Sequence, residues 1–523
     1  MNMNEPDTSY EEGLPRNAAG FDLIRRWREA TPATDPLYLD VGECEDATAK
    51  DREAFLRGAE RYARQFAQYE LRPSCRIAID LPNSTDYLQC LVAIWHIKAI
   101  PMLLHGRWSG AMKDEACETF GCAIRVSWEN GIQISQCPPS RASQLSHEDV
   151  ELDAMALIFF TSGSTGSPSA VPVSFENLIC SMAQFRQELD LNASRRVAAV
   201  APLYHAAGLL TMILPSLFLG APILCVAASP SRSDEHLAKS LAHHAIDALF
   251  LVPTMWERLS RTNTFEAGEL AGLRIALTGG ARTPHRLLER WRARGVELIV
   301  GYGMTETAPT GTFARAKLWR QEPLSIGVAP PTMQLRLVQQ DDQGIGRIAM
   351  KGDNISRGYL VQDEETGSFR LDRSSFDEDG FLISRDLAAW RTHEDEHGVC
   401  TQHLIFLGRC DDRIVSGGEN ISSLAVEAAL EEVFPGHQWA VIGLDDELWG
   451  ECVTACSARE HVHSDISLPS LGELRRLLLD RTPLASYMLP RQLFSIARFP
   501  LGSSGKIDRS ALKRDLSRRQ HHR

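Results

Sequence analysis

The sequence predicts an α/β protein: a large N-terminal domain of parallel-rich sheets with a small β subdomain, joined by a hinge to a small α+β C-terminal domain. The chain has 523 residues, more than one compact core holds. Short apolar runs alternate with amphipathic segments up to about residue 300, which is typical of βαβ units on a parallel sheet. Between about 327 and 389, short alternating strands and turn residues replace that pattern.

The domain boundary is predicted at residues 408–413, where the chain becomes tightly charged between two apolar runs. This divides the chain into an N-terminal domain, residues 1–409, and a C-terminal domain, residues 410–523. No internal repeat or low-complexity tract suggests any further division.

The first βαβ unit follows an amphipathic helix. Apolar residues recur at helical spacing over residues 51–69, so that helix packs one face on a core. A strand at 76–81 then leads through a Pro-Asn turn to a helix at 85–98 and a strand at 101–104. We therefore predict that the strands at 76–81 and 101–104 are parallel neighbours in the first sheet.

The stretch from 157 to 173 predicts a strand, a loop and a second strand, and the loop is rich in hydroxyls and glycine. Glycine permits positive φ and leaves successive N–H groups exposed, so such a backbone can wrap a phosphate. The loop does not match the G-x-x-x-x-G-K-[ST] pattern of P-loop NTPases. The candidate phosphate-binding residues are Thr161, Ser162, Gly163, Ser164, Thr165 and Gly166.

The βαβ pattern continues after this loop. Ser174 is placed to cap a helix over 175–189, and further strands are predicted at 197–200, 248–252, 273–278 and 297–300. The apolar run at 208–228 is long enough to cross a bilayer, but Pro215, Gly220 and Pro222 interrupt it. We predict a buried helix ending near Leu219 and then a central strand, with no membrane contact.

The C-terminal part predicts a separate α+β unit. Its elements are a strand at 413–415, a Gly-Gly turn, a helix at 424–433, strands at 438–443 and 452–455, and a helix at 470–479. It ends in the segment PLGSSGKIDR, and the basic tail over 513–523 is predicted to be a frayed, solvated helix end.

Composition excludes several classes of function. The net charge is −13 with Lys and Arg scattered, which argues against a nucleic-acid surface. The 12 cysteines lack metal-ligand spacing, so reduced thiols and the cytosol are expected. The polar, acidic N-terminus lacks the order of a signal peptide, which also favours a cytoplasmic protein.

The loop sequence TSGSTGSPSA resembles the signature T-S-G-[ST]-T-G-x-P-K-G of the acyl- and aryl-adenylate-forming enzymes. This family includes acyl-CoA synthetases, the adenylation domains of nonribosomal peptide synthesis, and luciferase, and the resemblance extends from about residue 73 to 513. It implies that ATP and a carboxylic acid form acyl-AMP and pyrophosphate, and that a pantetheine thiol then takes the acyl group. Where the family usually has Lys-Gly, this chain has Ser169 and Ala170.

The resemblance also implies the catalytic residues. Such a site must bring two anions together, so it needs positive charge and fixed donors. Lys506, in the motif GKIDR, would hold the substrate carboxylate and ATP oxygens. Glu306 would hold Mg²⁺, and Thr305 would donate to a phosphate oxygen. Tyr302 would stack on adenine, and Gly303 and Met304 complete the motif GYGMTET at 301–307.

Other matches concern the ribose and the acid. Asp386 matches the aspartate that binds the ribose hydroxyls, although Arg385 replaces the usual glycine before it, and Arg409 would contact the ribose as well. Further matches lie in the motifs GGA and PLYHAAG. The residues implied there are Gly280 and Ala281 beside the nucleotide, and Gly279 and His205 in the acid pocket.

A rotation of the C-terminal domain is implied by the same resemblance. It would turn about Asp411, withdraw Lys506, and bring Gly418 to a tunnel for the pantetheine arm. A glycine there leaves room for the thiol.

Several alternatives stay open. Coenzyme A is the expected acceptor, but a stand-alone enzyme that loads a carrier protein's phosphopantetheine fits the same motifs. Ser169 cannot supply the charge of the missing lysine, so we expect either a slow enzyme, one that uses Arg282 instead, or a non-catalytic binding protein. No G-x-S-x-G elbow supports a serine hydrolase. No aspartate lies between Pro202 and Pro215 to bind a substrate ammonium, which favours a hydrophobic acyl or aryl acid.

Overall fold

The computed structural model describes residues 14, 21–29, 38–41, 47–138, 155–161, 169–227, 232–363, 369–394, 398–416, 419–435, 437–458, 468–482, 484–501 and 507–520. Its strands are β1 (Tyr38–Val41), β2 (Ala47–Lys50), β3 (Arg76–Asp80), β4 (Ile100–Leu103), β5 (Cys122–Trp128), β6 (Ile132–Gln136), β7 (Met155–Thr161), β8 (Ser169–Ser174), β9 (Val197–Ala199), β10 (Ile223–Val226), β11 (Ala248–Leu251), β12 (Ile275–Gly279), β13 (Leu298–Tyr302), β14 (Thr312–Ala314), β15 (Ser325–Gly327), β16 (Gln334–Val338), β17 (Gly346–Lys351), β18 (Tyr359–Gln362), β19 (Phe369–Asp372), β20 (Leu382–Glu394), β21 (Cys400–Arg409), β22 (Arg413–Ser416), β23 (Glu419–Ser422), β24 (Trp439–Asp446), β25 (Gly450–Ala458) and β26 (Gln492–Ile496).

The α-helices of the same residues are α1 (Leu23–Glu29), α2 (Arg52–Phe66), α3 (Thr85–His96), α4 (Gly110–Thr119), α5 (Phe175–Leu189), α6 (Ala206–Leu210), α7 (Ile213–Leu219), α8 (Asp234–His243), α9 (Pro253–Leu259), α10 (Asn263–Glu266), α11 (His285–Arg292), α12 (Ala316–Trp319), α13 (Ser423–Val433), α14 (Leu471–Arg481) and α15 (Arg509–Gln520).

The first large sheet has the strand order β19-β18-β8-β7-β4-β3-β5-β6. Strands β7, β4, β3 and β5 are parallel, and β8 and β18 add antiparallel strands on one side. Because the parallel strands share a direction, the segments that follow β4 and β7 emerge at the same edge. This places residues 104–108 beside the end of β7 at Thr161.

The second large sheet has the order β14-β13-β12-β11-β9-β10-β1-β2. Its strands are parallel from β13 to β1, and the edge strands β14 and β2 are antiparallel. The carboxyl ends of β9, β12 and β13 therefore deliver the motifs PLYHAAG, GGA and GYGMTET to one edge. In open α/β sheets, ligands bind at this edge.

The small β subdomain is an antiparallel sheet in the order β15-β21-β20-β17-β16, as predicted. A fourth sheet, β23-β22-β25-β24 with β26 parallel to β25, carries α13, α14 and α15. The chain passes from the third sheet to the fourth between Arg409 and Arg413. The predicted fold class is therefore confirmed.

Two details differ from the prediction. The predicted buried helix is two short helices, α6 and α7, and α7 ends at Leu219, followed by the C-cap residue Gly220 with φ 73°. In the described part of the chain, no helix combines the length and apolarity that a bilayer crossing needs. The tail predicted to be a frayed, solvated helix end is helical over its described part, α15, and most of its side chains are exposed, but Leu516 packs against the fourth sheet.

Candidate active site

The loop at 303–307 is shaped by one glycine and one short turn. A Cβ on Gly303 would collide with the carbonyl oxygen of Pro309, so no larger residue fits there. The Met304 N–H donates to Thr307 Oγ1 at 3.1 Å, and Thr305–Thr307 forms a single 3₁₀ turn. The loop therefore presents Thr305 and Glu306 in a fixed order directly after β13.

Two residues of the segment 353–356 clamp this loop from outside. Asn354 is fully buried and donates from Nδ2 to the carbonyl oxygens of Thr307 and Thr310 at 2.8 and 3.2 Å. The Ser356 N–H donates to the Glu306 carbonyl oxygen at 2.7 Å. Buried amides satisfied in this way hold a loop in one conformation.

Glu306 is a buried carboxylate with a tyrosine partner. The residue is 8% exposed, and the Tyr359 hydroxyl donates to Glu306 Oε1 at 2.6 Å. Burial, and then the Glu306 charge, raise the pKa of Tyr359, so the phenol stays protonated and donates. A carboxylate has about four acceptor positions, so this bond leaves capacity for a further ligand.

Tyr302, Asp386 and Arg409 meet although they are distant in sequence. The Tyr302 hydroxyl donates to Asp386 Oδ2 at 2.8 Å, and Arg409 Nε lies 3.8 Å from Asp386 Oδ1. Asp386 and Arg409 are cross-strand partners on β20 and β21, which fixes their spacing. Burial, and then the charge of Asp386, raise the pKa of Tyr302.

The departure at Arg385 is accommodated without strain. Arg385 lies inside β20 and is exposed, whereas its neighbours Ser384 and Asp386 are buried or half-buried. The register between β17 and β20 shifts between Ile383 and Leu387, so the exposed Arg385 lies in a β-bulge. The glycine that usually precedes this aspartate is not needed for the strand that forms here.

The motif GGA lies where two strands come close together. A Cβ on Gly279 would lie 2.7 Å from the carbonyl oxygen of Gly301, and Gly280 has φ 80°. Both positions therefore favour glycine for backbone reasons. Gly280 and Ala281 are exposed, so this stretch forms open surface beside the loop at 303–307.

His205 begins α6 as its N-cap residue, and an asparagine from the other large sheet positions the chain before it. Asn83 donates from Nδ2 to the carbonyl oxygens of Ala199 and Ala201 at 3.0 and 2.9 Å. Its Oδ1 accepts from the Leu203 N–H at 2.9 Å. Asn83 thus joins the turn after β3 to the turn after β9 and sets the position of His205.

Several predicted site residues lie outside the described residues. They are Ser162, Gly163, Ser164, Thr165 and Gly166 of the loop, Gly418, and Lys506. Thr161 is described and ends β7, opposite Ser169 on β8. Asp411 lies in the short turn between β21 and β22. The roles given to these residues stay predictions.

Arg282 has a different partner from the one expected of a substitute for the loop lysine. Its Nη2 lies 3.0 Å from Glu431 Oε2 on α13, and both side chains are about nine-tenths buried, with 13% and 12% exposed. Arg286 also donates to the Pro435 carbonyl oxygen at 3.3 Å. In this structure Arg282 therefore pairs with Glu431 and connects the N- and C-terminal parts of the chain.

The residues that sequence reasoning missed are partners of the motif residues: Asn83, Asn354, Ser356 and Tyr359. Only Asn83 had a signal, since it follows the first predicted strand in the Pro-Asn turn. The other three lie in a segment without any motif. Their contact with the loop at 303–307 arises from tertiary packing.

The site combines a buried carboxylate, a Tyr–Asp–Arg cluster and glycine-bounded backbone at the carboxyl ends of parallel strands. In open α/β sheets the carboxyl ends of parallel strands are where ligands bind, so this combination is typical of the binding site of an α/β enzyme. A family model described as AMP-binding enzyme matches residues 52–360, which is more than half of the chain. The chain belongs to the AMP-binding enzyme family.

Curated relatives and solved structures agree with this. A feruloyl-CoA synthase of Amycolatopsis sp is 30% identical over 464 residues, covering 85% of this chain and 89% of that protein. A 2-succinylbenzoate–CoA ligase of Geobacillus sp. is 28% identical over 484 residues, covering 86% and 89%. The o-succinylbenzoate CoA synthetase of Bacillus subtilis, in complex with its acyl-adenylate intermediate, superposes with a TM-score of 0.72 at 23% identity, covering 94% and 97%. The predicted adenylate-forming family, and with it the acid–thiol ligase class, is confirmed.

Proposed function

We propose that this protein uses ATP to activate a hydrophobic acyl or aryl acid and transfers the acyl group to coenzyme A. The acid's carboxylate oxygen attacks the α-phosphorus, and the bond to the leaving pyrophosphate breaks. The thiol sulfur then attacks the acyl carbon, AMP leaves, and the thiol proton is released. The observation that carries this proposal is that Tyr302, in the same motif as Glu306, donates to Asp386, which in turn lies beside Arg409.

Glu306 is the residue proposed to hold Mg²⁺. The ion usually takes one or two carboxylates and completes its shell with phosphate oxygens and water, so one glutamate is sufficient. The acceptor capacity that the Tyr359 bond leaves on Glu306 fits this requirement. When bound, the ion neutralises phosphate charge. Thr305, on the same turn, donates to a phosphate oxygen.

Asp386 and Arg409 are proposed to hold the ribose, and the Tyr302 ring the adenine. The Tyr302 hydroxyl occupies one oxygen of Asp386 and fixes the carboxylate. The vicinal hydroxyls of a ribose are suitable donors to a carboxylate held in this way. Burial and hydrogen bonding thus prepare the binding groups before the nucleotide arrives.

The C-terminal domain, residues 410–523, is proposed to supply Lys506 for adenylation and then to turn about Asp411. The change of sheet between Arg409 and Arg413 supports this boundary. A compact ammonium on a flexible stem suits a group that serves one step and leaves for the next. Gly418 then lines the path of the pantetheine thiol.

The acid pocket is proposed to lie between His205 and Gly279. No acidic side chain occurs in the segment 202–215, which supports an acid without an α-amino group. The relatives described above are named for aryl acids, which supports the same substrate class. Their names also favour coenzyme A over a carrier protein as the acceptor.

The test is product analysis of the full chain with ATP, Mg²⁺ and a panel of aryl and fatty acids. Each acid is offered with free coenzyme A or with a carrier protein bearing phosphopantetheine. Mass spectrometry should detect AMP and an acyl-CoA with at least one acid. Acyl transfer only to the carrier would replace the proposed acceptor, and AMP without any acyl product would contradict the transfer step.

A further inference from the structure

His105 lies in a buried aromatic cluster beside the proposed acid pocket. The residue is 6% exposed and directly follows β4 and Leu104. Its ring centroid lies 5.9 Å from Trp108, 4.7 Å from Tyr204 and 5.0 Å from His205. No motif in the sequence singles out this histidine.

The backbone fixes the tautomer of this imidazole. The Arg107 N–H donates to His105 Nδ1 at 3.1 Å, so Nδ1 is an acceptor and carries no proton. Burial, and then the positive charge of Arg107, lower the pKa of His105 to about 4, so the ring is neutral at pH 7. The single ring proton is therefore on Nε2, which is a donor.

That donor has no partner in the protein. Nε2 of His105 is buried, and none of the described residues forms a hydrogen bond with it. The great majority of buried polar atoms are hydrogen-bonded, and an exception calls for a cause. A ligand with an acceptor atom would supply the missing bond.

The location points to the acid rather than to the nucleotide. β4 and β7 are parallel neighbours, with Met102 opposite Ile158, so His105 leaves the sheet next to the end of β7. Trp108 packs on Phe160 at 5.2 Å, immediately before Thr161. On its other side, the His105 ring meets His205, the proposed wall of the acid pocket.

We propose that His105 is a specificity-determining residue of the acid site, whose Nε2–H donates to an acceptor oxygen on the tail of the bound acid. The site would then select acyl or aryl acids that carry a hydroxyl, ether or carbonyl oxygen away from the reacting carboxyl group. A site built around a buried donor rejects the analogue that lacks the acceptor, because the donor is left unpaired. This inference rests on the proposed function.

The first experiment compares pairs of acids in which carbon replaces the oxygen, such as 4-methoxycinnamate and 4-ethylcinnamate, using kcat/KM for thioester formation. The wild-type chain should prefer the oxygen-bearing member by roughly tenfold or more. His105→Phe keeps a ring and removes the donor, so it should abolish the preference mainly through KM. His105→Gln retains an N–H donor and should restore part of it.

Trp108→Phe is the matched control, since it changes the same cluster without touching the donor. It should affect both acids of a pair to the same extent. The inference would be overturned if the wild-type chain had the same kcat/KM for both acids of a pair. It would also be overturned if His105→Phe lowered kcat/KM for both acids equally.

A second readout separates this inference from the proposed function. Nitrogen-15 NMR of labelled histidines in the full chain should show the Nε2–H tautomer for His105, and its Nε2 signal should shift when 4-methoxycinnamate is added. If no acid gave a thioester, the proposed function would be refuted. The Nε2 signal would still show whether His105 contacts the added acid. An Nδ1–H tautomer, or an unchanged Nε2 signal at a saturating concentration of the acid, would refute the inference.

Discussion

At the scale of single residues, the two carboxylates of the site are held by different partners. Glu306 is buried against one tyrosine, whereas Asp386 lies between a tyrosine and an arginine. Both carboxylates were predictable because each stands in a motif. Tyr359 was not, because its hydroxyl reaches Glu306 from a strand of the other large sheet. The charged residues of this site could therefore be predicted from motifs, whereas the neutral tyrosine that orients Glu306 could not.

Glu306→Gln tests the metal role at this scale. The amide oxygen can still accept from Tyr359, but the negative charge is lost. We expect kcat/KM for adenylation to fall by about 10²–10³-fold and the Mg²⁺ requirement to rise. Tyr359→Phe is the control, and because the charge remains it should cost about tenfold. Adenylation at the wild-type rate in Glu306→Gln would contradict the role.

His105 gives a prediction about pH and stability. The unfolded chain binds a proton on this imidazole near pH 6.5, but the folded chain does so only near pH 4. The unfolded state therefore binds more protons between these values, and stability rises with pH across this window by about 3 kcal/mol. Above pH 6.5 the contribution is constant. The free energy of unfolding, measured with urea at several pH values, should rise between pH 4 and 6.5 in the wild type but not in His105→Gln. The same pH dependence in both proteins would refute this prediction.

At the scale of elements, the strand and helix pattern was predictable where local signals were strong. The helix predicted over 175–189 is α5 with the same bounds, because Ser174 caps it and Asn177 completes a capping box. β26 was missed, and only the end of α15 was predicted, because the signals of both elements are weak. Only Leu512 and Leu516 mark the buried face of α15 among many charged residues, and the five residues of β26, QLFSI, do not alternate between polar and apolar.

Asn83 connects the turns after β3 and β9, so replacing it should affect both turns. Asn83→Ala leaves the Leu203 N–H and the carbonyl oxygens of the turn after β9 without their partner. We expect the free energy of unfolding to fall by about 3 kcal/mol, and KM for the acid to rise as His205 moves. Urea denaturation and steady-state kinetics measure the two effects. Asn192→Ala removes only the hydrogen bonds within one surface turn and should lower stability by about 1 kcal/mol. Equal losses in both variants would contradict the special position of Asn83.

At the scale of the whole molecule, the N- and C-terminal parts are joined by specific polar contacts. Arg282 pairs with Glu431, Arg286 donates to Pro435, and Arg413 pairs with Asp341 at 3.1 Å. The sequence predicted the two parts and their boundary region from composition alone. It could not predict these pairs, because nothing in the sequence indicates which exposed charges will meet after the domains dock.

Glu431→Gln tests whether this docked arrangement belongs to one step of the reaction. Removing the carboxylate leaves Arg282 without its buried counter-charge, which destabilises the docked arrangement. The half-reaction that uses it should slow by about fivefold or more, while the other half-reaction keeps its rate. Glu432→Gln, an exposed neighbour on α13, is the control. Equal changes in adenylation and thioester formation would contradict the idea.

Acid-dependent exchange of labelled pyrophosphate into ATP measures directly whether this chain adenylates a carboxylic acid. The wild-type chain should exchange label with at least one acid of an acyl and aryl panel, and Lys506→Ala should lower that rate by about 10²-fold or more. Exchange would also show that Ser169, in place of the loop lysine, leaves the enzyme active. Binding of ATP without exchange for any acid would contradict the account and identify the chain as a binding protein.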